Sequence, residues 1–162
     1  MEKARKDYLS WHNYFMGIVK LAALRSKDPS TQVGAIIVND KKQILASGYN
    51  GFPRGLDDNV YSWNRESEDW EDSKYPYVVH AEANAILNAT TTLDNAKIYV
   101  SLFPCNECAK LIIQSGIKTV YYSCDKYNGT QINNVSKRLF KNSKVEFIEI
   151  PDVKVEVTVD KK

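Results

Sequence analysis

The chain is expected to fold as one three-layer α/β/α domain around a five-stranded mixed sheet. Three observations predict this. Two short apolar segments flank a polar turn near the N-terminus. Helical and strand-like periodicities then alternate after residue 80. Hydrophobic residues make up 43% of 162 residues, enough to bury one core without staples.

From Asp7 to Arg25, Tyr8, Trp11, Phe15, Val19 and Ala22/Ala23 recur on one helical face, with Asp7 as the expected N-cap. Val33–Asn39 and Gln43–Tyr49 read as an antiparallel hairpin around Asn39-Asp40-Lys41-Lys42. The stretch from Asn50 to Tyr75 lacks periodicity, and so long an insert in a compact domain tends to be functional. Its tryptophans, Trp63 and Trp70, are expected to pin it down. A helix is then expected from about His80 to Ala89, a strand at Lys97–Leu102, and a helix at Cys105–Ser115 ended by Gly116. A strand at Lys118–Ser123, a helix at Gln131–Lys141 and a strand at Lys144–Ile150 complete the series. Strands separated by helices pair in parallel through crossovers, so one antiparallel hairpin joins three parallel strands. The domain is read as residues 1–150. Residues 151–162 form a tail whose alternating Val153, Val155, Val157 and Val159 suit an edge strand, a subunit contact or a frayed end.

A net charge of +2 argues against the extended basic surface that a nucleic-acid polymer or a membrane surface would need. It leaves room for a local basic pocket. Three cysteines, two of them in one Cys-x-x-Cys pair, do not suit a secreted disulfide framework. The first residues show no apolar segment of a secretory signal, and no apolar run approaches membrane-spanning length. A reducing intracellular compartment, the cytoplasm, is the expectation.

Two motifs carry chemistry: His80-Ala81-Glu82 and Pro104-Cys105-Asn106-Glu107-Cys108. Three residues apart at a helix start, Cys105 and Cys108 lie about 60° apart around the axis, so both thiols can face one metal. The helix N-terminus also favours thiolate over thiol. His80 and Glu82 would point about 200° apart on a regular helix. His80 must therefore stand at a non-helical cap position, which the extended Tyr75-Pro76-Tyr77-Val78-Val79 before it allows. Three protein ligands leave a zinc position open, the mark of a catalytic rather than a structural site.

In this order the two motifs match the signature of the zinc deaminases. The match extends through Ser26-Lys27-Asp28-Pro29-Ser30-Thr31-Gln32-Val33-Gly34-Ala35, Gly48-Tyr49-Asn50-Gly51-Phe52-Pro53, Lys74 to Ile86 and Leu102 to Lys110. Over about residues 8 to 150 the chain resembles the deoxycytidylate (dCMP) deaminases of the cytidine/deoxycytidylate deaminase superfamily. Nucleoside-level cytidine deaminases typically have Cys at the position of His80. The tRNA adenosine deaminases share His-Ala-Glu but differ around Pro-Cys-x-x-Cys.

The resemblance implies hydrolysis of dCMP to dUMP and ammonia, supplying dUMP for thymidylate synthesis. His80, Cys105 and Cys108 would hold one Zn²⁺ per subunit, and Glu82 would move protons between water, the pyrimidine N3 and the leaving amine. It further implies a homohexamer, activation by dCTP and inhibition by dTTP, with Mg²⁺ accompanying the triphosphate. The effector region would be the Gly48–Gly55 segment: Gly48, Tyr49, Asn50, Gly51, Pro53 and Gly55. Asn50 would also contact the sugar, the Ala81 backbone N–H the cytosine O2, and Tyr127 the base or the phosphate. Ser26, Lys27, Arg54 and Lys126 are candidates for the 5′-phosphate. Activity on dCTP as well, a polynucleotide-editing deaminase, and a silent nucleotide sensor that keeps zinc for structure stay open as alternatives.

Overall fold

The structure, a computed structural model, describes residues 2–160. Positions 161 and 162 of the expected tail lie outside the described residues. Four helices and five strands follow one another as α1 (Trp11–Ala23), β1 (Gly34–Val38), β2 (Ile44–Tyr49), α2 (Ala81–Asn88), β3 (Lys97–Val100), α3 (Asn106–Gln114), β4 (Thr119–Tyr122), α4 (Gln131–Asn142) and β5 (Glu146–Glu149). One short 3-10 helix, Trp70–Asp72, lies in the insert.

The strands are ordered β2-β1-β3-β4-β5. The β1–β2 hairpin is antiparallel, and β3, β4 and β5 run parallel, as the crossover argument requires. The hairpin docks through β1, which pairs antiparallel with β3, Ile36 opposite Tyr99. Central position explains why all five residues of β1 are buried. Ala35 and Ile37 enter the core that also holds Ala85 of α2, Ile112 of α3 and Phe140 of α4. Ile36 and Val38 face the opposite core with Phe15, Met16 and Val19 of α1. Helices therefore cover both faces of the sheet, which is the expected three-layer architecture.

Several boundaries differ from the expectation. The N-cap of α1 is Ser10, not Asp7: its hydroxyl accepts from the Asn13 N–H at 3.2 Å. The buried face is Phe15, Met16, Val19 and Ala23, while Tyr8 precedes the helix and Trp11 is exposed, stacked on Phe15. Trp63 does pin the insert, stacking on Phe52 at 4.0 Å and donating to the Asp58 carbonyl. Trp70 does not, because 69% of its surface is exposed. Beyond Pro151 no strand forms among the described residues. The tail instead lays Val153 against the α1-side core, and Asp152 pairs with Lys20 at 2.6 Å.

Candidate active site

Where β2 ends, the chain enters the insert, and where the insert ends, α2 begins. Gly51 and Val79 exchange two backbone hydrogen bonds, Gly51 N–H to the Val79 carbonyl at 3.1 Å and Val79 N–H to the Gly51 carbonyl at 2.8 Å. This bridge keeps the backbone extended up to His80, the N-cap of α2, at φ −72° and ψ 157°. The ring is thereby turned away from the helical direction, as the His-x-Glu spacing demanded. Glu82 sits in the first turn of α2 and is 4% exposed.

Cys105 caps α3 and accepts from the Cys108 N–H, so helix geometry brings the two sulfurs together. His80 Nδ1 lies 3.4 Å from the Sγ of Cys105 and 3.4 Å from that of Cys108. A tetrahedral zinc with Zn–S of about 2.3 Å and Zn–N of about 2.0–2.1 Å has N···S edges of about 3.5 Å. The three donors thus fit a zinc ion. They are the one such His/Cys/Asp/Glu cluster among the described residues, with all donor atoms within 4.8 Å of one another. All three cysteines of the chain are free thiols.

The electrostatics suit the same use. Hydrogen bonding from Cys108, opposed by burial and reinforced by His80, lowers the Cys105 thiol to about 4. His80 is raised to about 9, first by its hydrogen bond to Cys105. Cys108 is pushed up by its contact with the anionic Cys105 and by burial. Burial is also the leading cause of the upward shift of Glu82, which His80 partly offsets. A carboxyl whose proton is held more tightly than usual is suited to both taking and giving one.

These groups open into a cavity of about 630 Å³ with a mainly apolar lining, a size suited to a small organic ligand. Asn50, Ala81 and Tyr127 line it together with His80, Glu82 and Cys105. Asn50 is already engaged: its Oδ1 accepts from the Val33 N–H at 2.8 Å and its Nδ2 donates to the Thr31 carbonyl at 2.9 Å. It braces the loop between α1 and β1 as well as facing the cavity.

The four phosphate candidates do not line this cavity. Ser26 donates to the Asn50 carbonyl, Lys27 pairs with Asp58, Arg54 donates to Asn88, and Lys126 lies over the Tyr127 ring. The Gly48–Gly55 segment also divides. Gly48 is buried, and a Cβ there would meet the Ala81 carbonyl oxygen and the Ala85 nitrogen at 2.4 Å each, so its role is close strand–helix packing. Tyr49 is partly exposed beside Arg25, and Pro53 accepts from the Leu56 N–H. Gly51 and Gly55 stand in open space, Gly55 at φ +93°.

Among the lining residues that sequence reasoning missed are Asp28, Lys74, Arg65 and Asn133. Asp28 accepts from the N–H groups of Ser30 and Thr31, the local turn that Asp-Pro-Ser-Thr encodes, and this was the available signal. Its other oxygen is 2.5 Å from Lys74 Nζ, a pair separated by 46 residues and invisible to any local pattern. Asn133, in the first turn of α4, donates to Asp125, while its own buried Oδ1 has no donor among the described residues.

Known proteins resemble this chain over most of its length. Residues 9–124 match the family model described as the cytidine and deoxycytidylate deaminase zinc-binding region. Over 146 residues the chain is 51% identical to a deoxycytidylate deaminase of Homo sapiens, covering 90% of this chain and 82% of the relative. Over 159 residues it is 48% identical to the Mus musculus deoxycytidylate deaminase, covering 98% and 89%. A solved structure of the dCMP deaminase from cyanophage S-TIM5, in complex with dCMP and dUMP, superposes with a TM-score of 0.68 at 28% identity, over 85% of this chain and 94% of that one. The chain therefore belongs to the cytidine and deoxycytidylate deaminase family, and it is a deaminase.

Proposed function

We propose that this chain hydrolyses dCMP to dUMP and ammonia, with His80, Cys105 and Cys108 as zinc ligands and Glu82 as the proton carrier. The observation that carries the reading is the placement of a buried carboxyl, Glu82, next to a three-donor metal set inside one cavity. A zinc ion held by these three residues would supply an activated water. Glu82 accepts the proton of the attacking water as its oxygen adds to C4 of the cytosine. It passes the proton to N3, then takes the remaining proton from the C4 hydroxyl and delivers it to the exocyclic amine, so that C4=O forms as the C4–N bond breaks and ammonia leaves. The Ala81 backbone N–H, also in the cavity wall, holds the pyrimidine O2, while Asn50 faces the sugar and Tyr127 the base or phosphate.

The same reading takes dCTP as activator and dTTP as inhibitor, with Mg²⁺ on the triphosphate, acting at the loop after β2. Its support is the open backbone at Gly51 and Gly55, which phosphate oxygens can approach closely. The exposed Trp11, Tyr14, Leu21 and Leu24 support a homo-oligomer, taken as a hexamer from the family resemblance. Among the described residues no helix is long and apolar enough to cross a membrane, and free thiols fit a reducing cytoplasm.

The test is ammonia and dUMP formation from dCMP by the zinc-loaded protein, with and without dCTP·Mg²⁺, alongside Glu82→Gln. Turnover that disappears in the variant while zinc stays bound is the expected result. A zinc-loaded wild type that leaves dCMP untouched would sink the proposal.

A further inference from the structure

The cavity that holds the zinc ligands also carries a charge imbalance away from them. Three carboxylates line it. Asp28 is paired with Lys74 at 2.5 Å, Glu107 with Lys110 at 2.7 Å, and Glu82 belongs to the metal end. Two cations line it, Lys74 and Arg65, and the charge of Lys74 is committed to Asp28. Arg65 has no carboxylate within salt-bridge distance among the described residues.

Its one side-chain hydrogen bond runs from Nε to the Tyr75 hydroxyl at 3.3 Å. That contact orients the guanidinium and leaves the two Nη groups, four N–H donors in a flat fork, without a protein acceptor among the described residues. The Tyr75 oxygen accepts from Arg65, so its own O–H is free to donate outward. Tyr75 and Tyr127 are both close enough to Arg65 to hold its proton more tightly, and both line the same cavity. Thr130 and Ile132 add the N-terminus of α4 to that wall. There the Thr130 hydroxyl takes the Asn133 N–H, and the Thr130 carbonyl takes that of Asn134, leaving the N–H groups of Gln131 and Ile132 without intrahelical partners. A helix start of this kind favours an anion.

We infer that Arg65, oriented by Tyr75 and assisted by the start of α4, binds the 5′-phosphate and makes this enzyme select a nucleotide over a nucleoside. The inference rests on the dCMP reading and adds the residue that reads the phosphate. Bidentate contact with two phosphate oxygens is what the free Nη edge offers. Arg65 and Tyr75 are both exposed at the mouth of the cavity, where the 5′ end of a bound nucleotide can reach them.

The test compares kcat/KM for dCMP and for deoxycytidine in the zinc-loaded wild type, Arg65→Ala, Arg65→Lys and Tyr75→Phe. Arg65→Ala is expected to lower the dCMP value by about 10- to 100-fold while the deoxycytidine value moves less than about 2-fold, as loss of one charge-assisted contact to the phosphate predicts. Arg65→Lys should recover part of the loss, because it restores the charge but not the fork. Inorganic phosphate should compete with dCMP in the wild type, with a competition constant weakened by a similar factor in Arg65→Ala. An unchanged dCMP value, an equal fall for both substrates, or phosphate competition indifferent to Arg65 would overturn the assignment. A wild type that turns over neither substrate would overturn the dCMP reading itself, and this inference with it.

Discussion

The Lys74 ammonium lies 2.5 Å from the Asp28 carboxylate, and the two side chains are only 7% and 2% exposed. One residue comes from the loop before β1 and the other from the end of the insert, so the pair ties these segments together at the cavity wall. Removing one member leaves the other buried and unpaired, which typically costs about 3–5 kcal/mol. Lys74→Met and Asp28→Asn should each lower stability by that order in denaturant unfolding. The double variant should lose clearly less than the sum of the two. Additive losses would show that the pair is not energetically coupled.

Metal occupancy and turnover should separate cleanly. Cys105→Ser, Cys108→Ser and His80→Ala are each expected to lower zinc content and activity together, since each removes one of three donors. Glu82→Gln should keep zinc at the wild-type level while turnover falls by about 10²- to 10⁴-fold, the usual weight of a positioned general acid–base. Metal analysis and steady-state rates on the same preparations decide this.

Gly48 is expected to tolerate no side chain. A Cβ there would press the Ala81 carbonyl and the Ala85 nitrogen, both helix backbone that cannot rotate away. Gly48→Ala should cost about 1–3 kcal/mol as overpacking, and it should weaken zinc affinity because it displaces the helix that His80 caps. Gly51→Ala, in open space, is the control and should unfold within about 0.5 kcal/mol of wild type. Equal effects at the two glycines would refute the packing account.

Asn50→Leu should destabilise through two orphaned backbone groups, the Val33 N–H and the Thr31 carbonyl, at about 1–3 kcal/mol each. The accompanying effect on dCMP kinetics should appear mainly when the loop before β1 loosens, seen as faster amide exchange at Thr31 and Val33. Normal exchange at both amides would contradict the bracing role.

The His80–Cys105–Cys108 end of the site was legible because its chemistry is local. The Cys105–Cys108 spacing and the His80–Glu82 spacing each constrain where side chains can point on or beside a helix. The extended His80 cap follows from that constraint alone, before any contact is known. The parallel half of the sheet was legible for a similar reason: helices between strands leave few topologies. The pairing of β1 with β3 was not, because nothing in Gly34–Val38 says which neighbour it meets on its second edge. Nor was the rest of the cavity, where Asp28, Lys74 and Arg65 meet through an aperiodic insert. Charged residues there look the same in sequence whether they face solvent or a ligand. The face of α1 was misread at Tyr8 and Trp11 because aromatic residues fit both a buried face and an exposed stripe.

The two hydrogen bonds between Gly51 and Val79 have one more consequence. They fasten the two ends of the excursion at residues 52–78 to each other, so it stands on the domain as a closed handle. Away from the residues that tie it to the frame, Lys74 above all, such a handle can change length at little cost, since doubling the length of a flexible loop costs only about 0.6 kcal/mol in closure entropy. Arg65 and Tyr75 ride on the handle, while His80 and Glu82 belong to the frame. If Arg65 reads the phosphate as proposed, that part of recognition can drift or be redesigned separately from the reaction carried by His80 and Glu82.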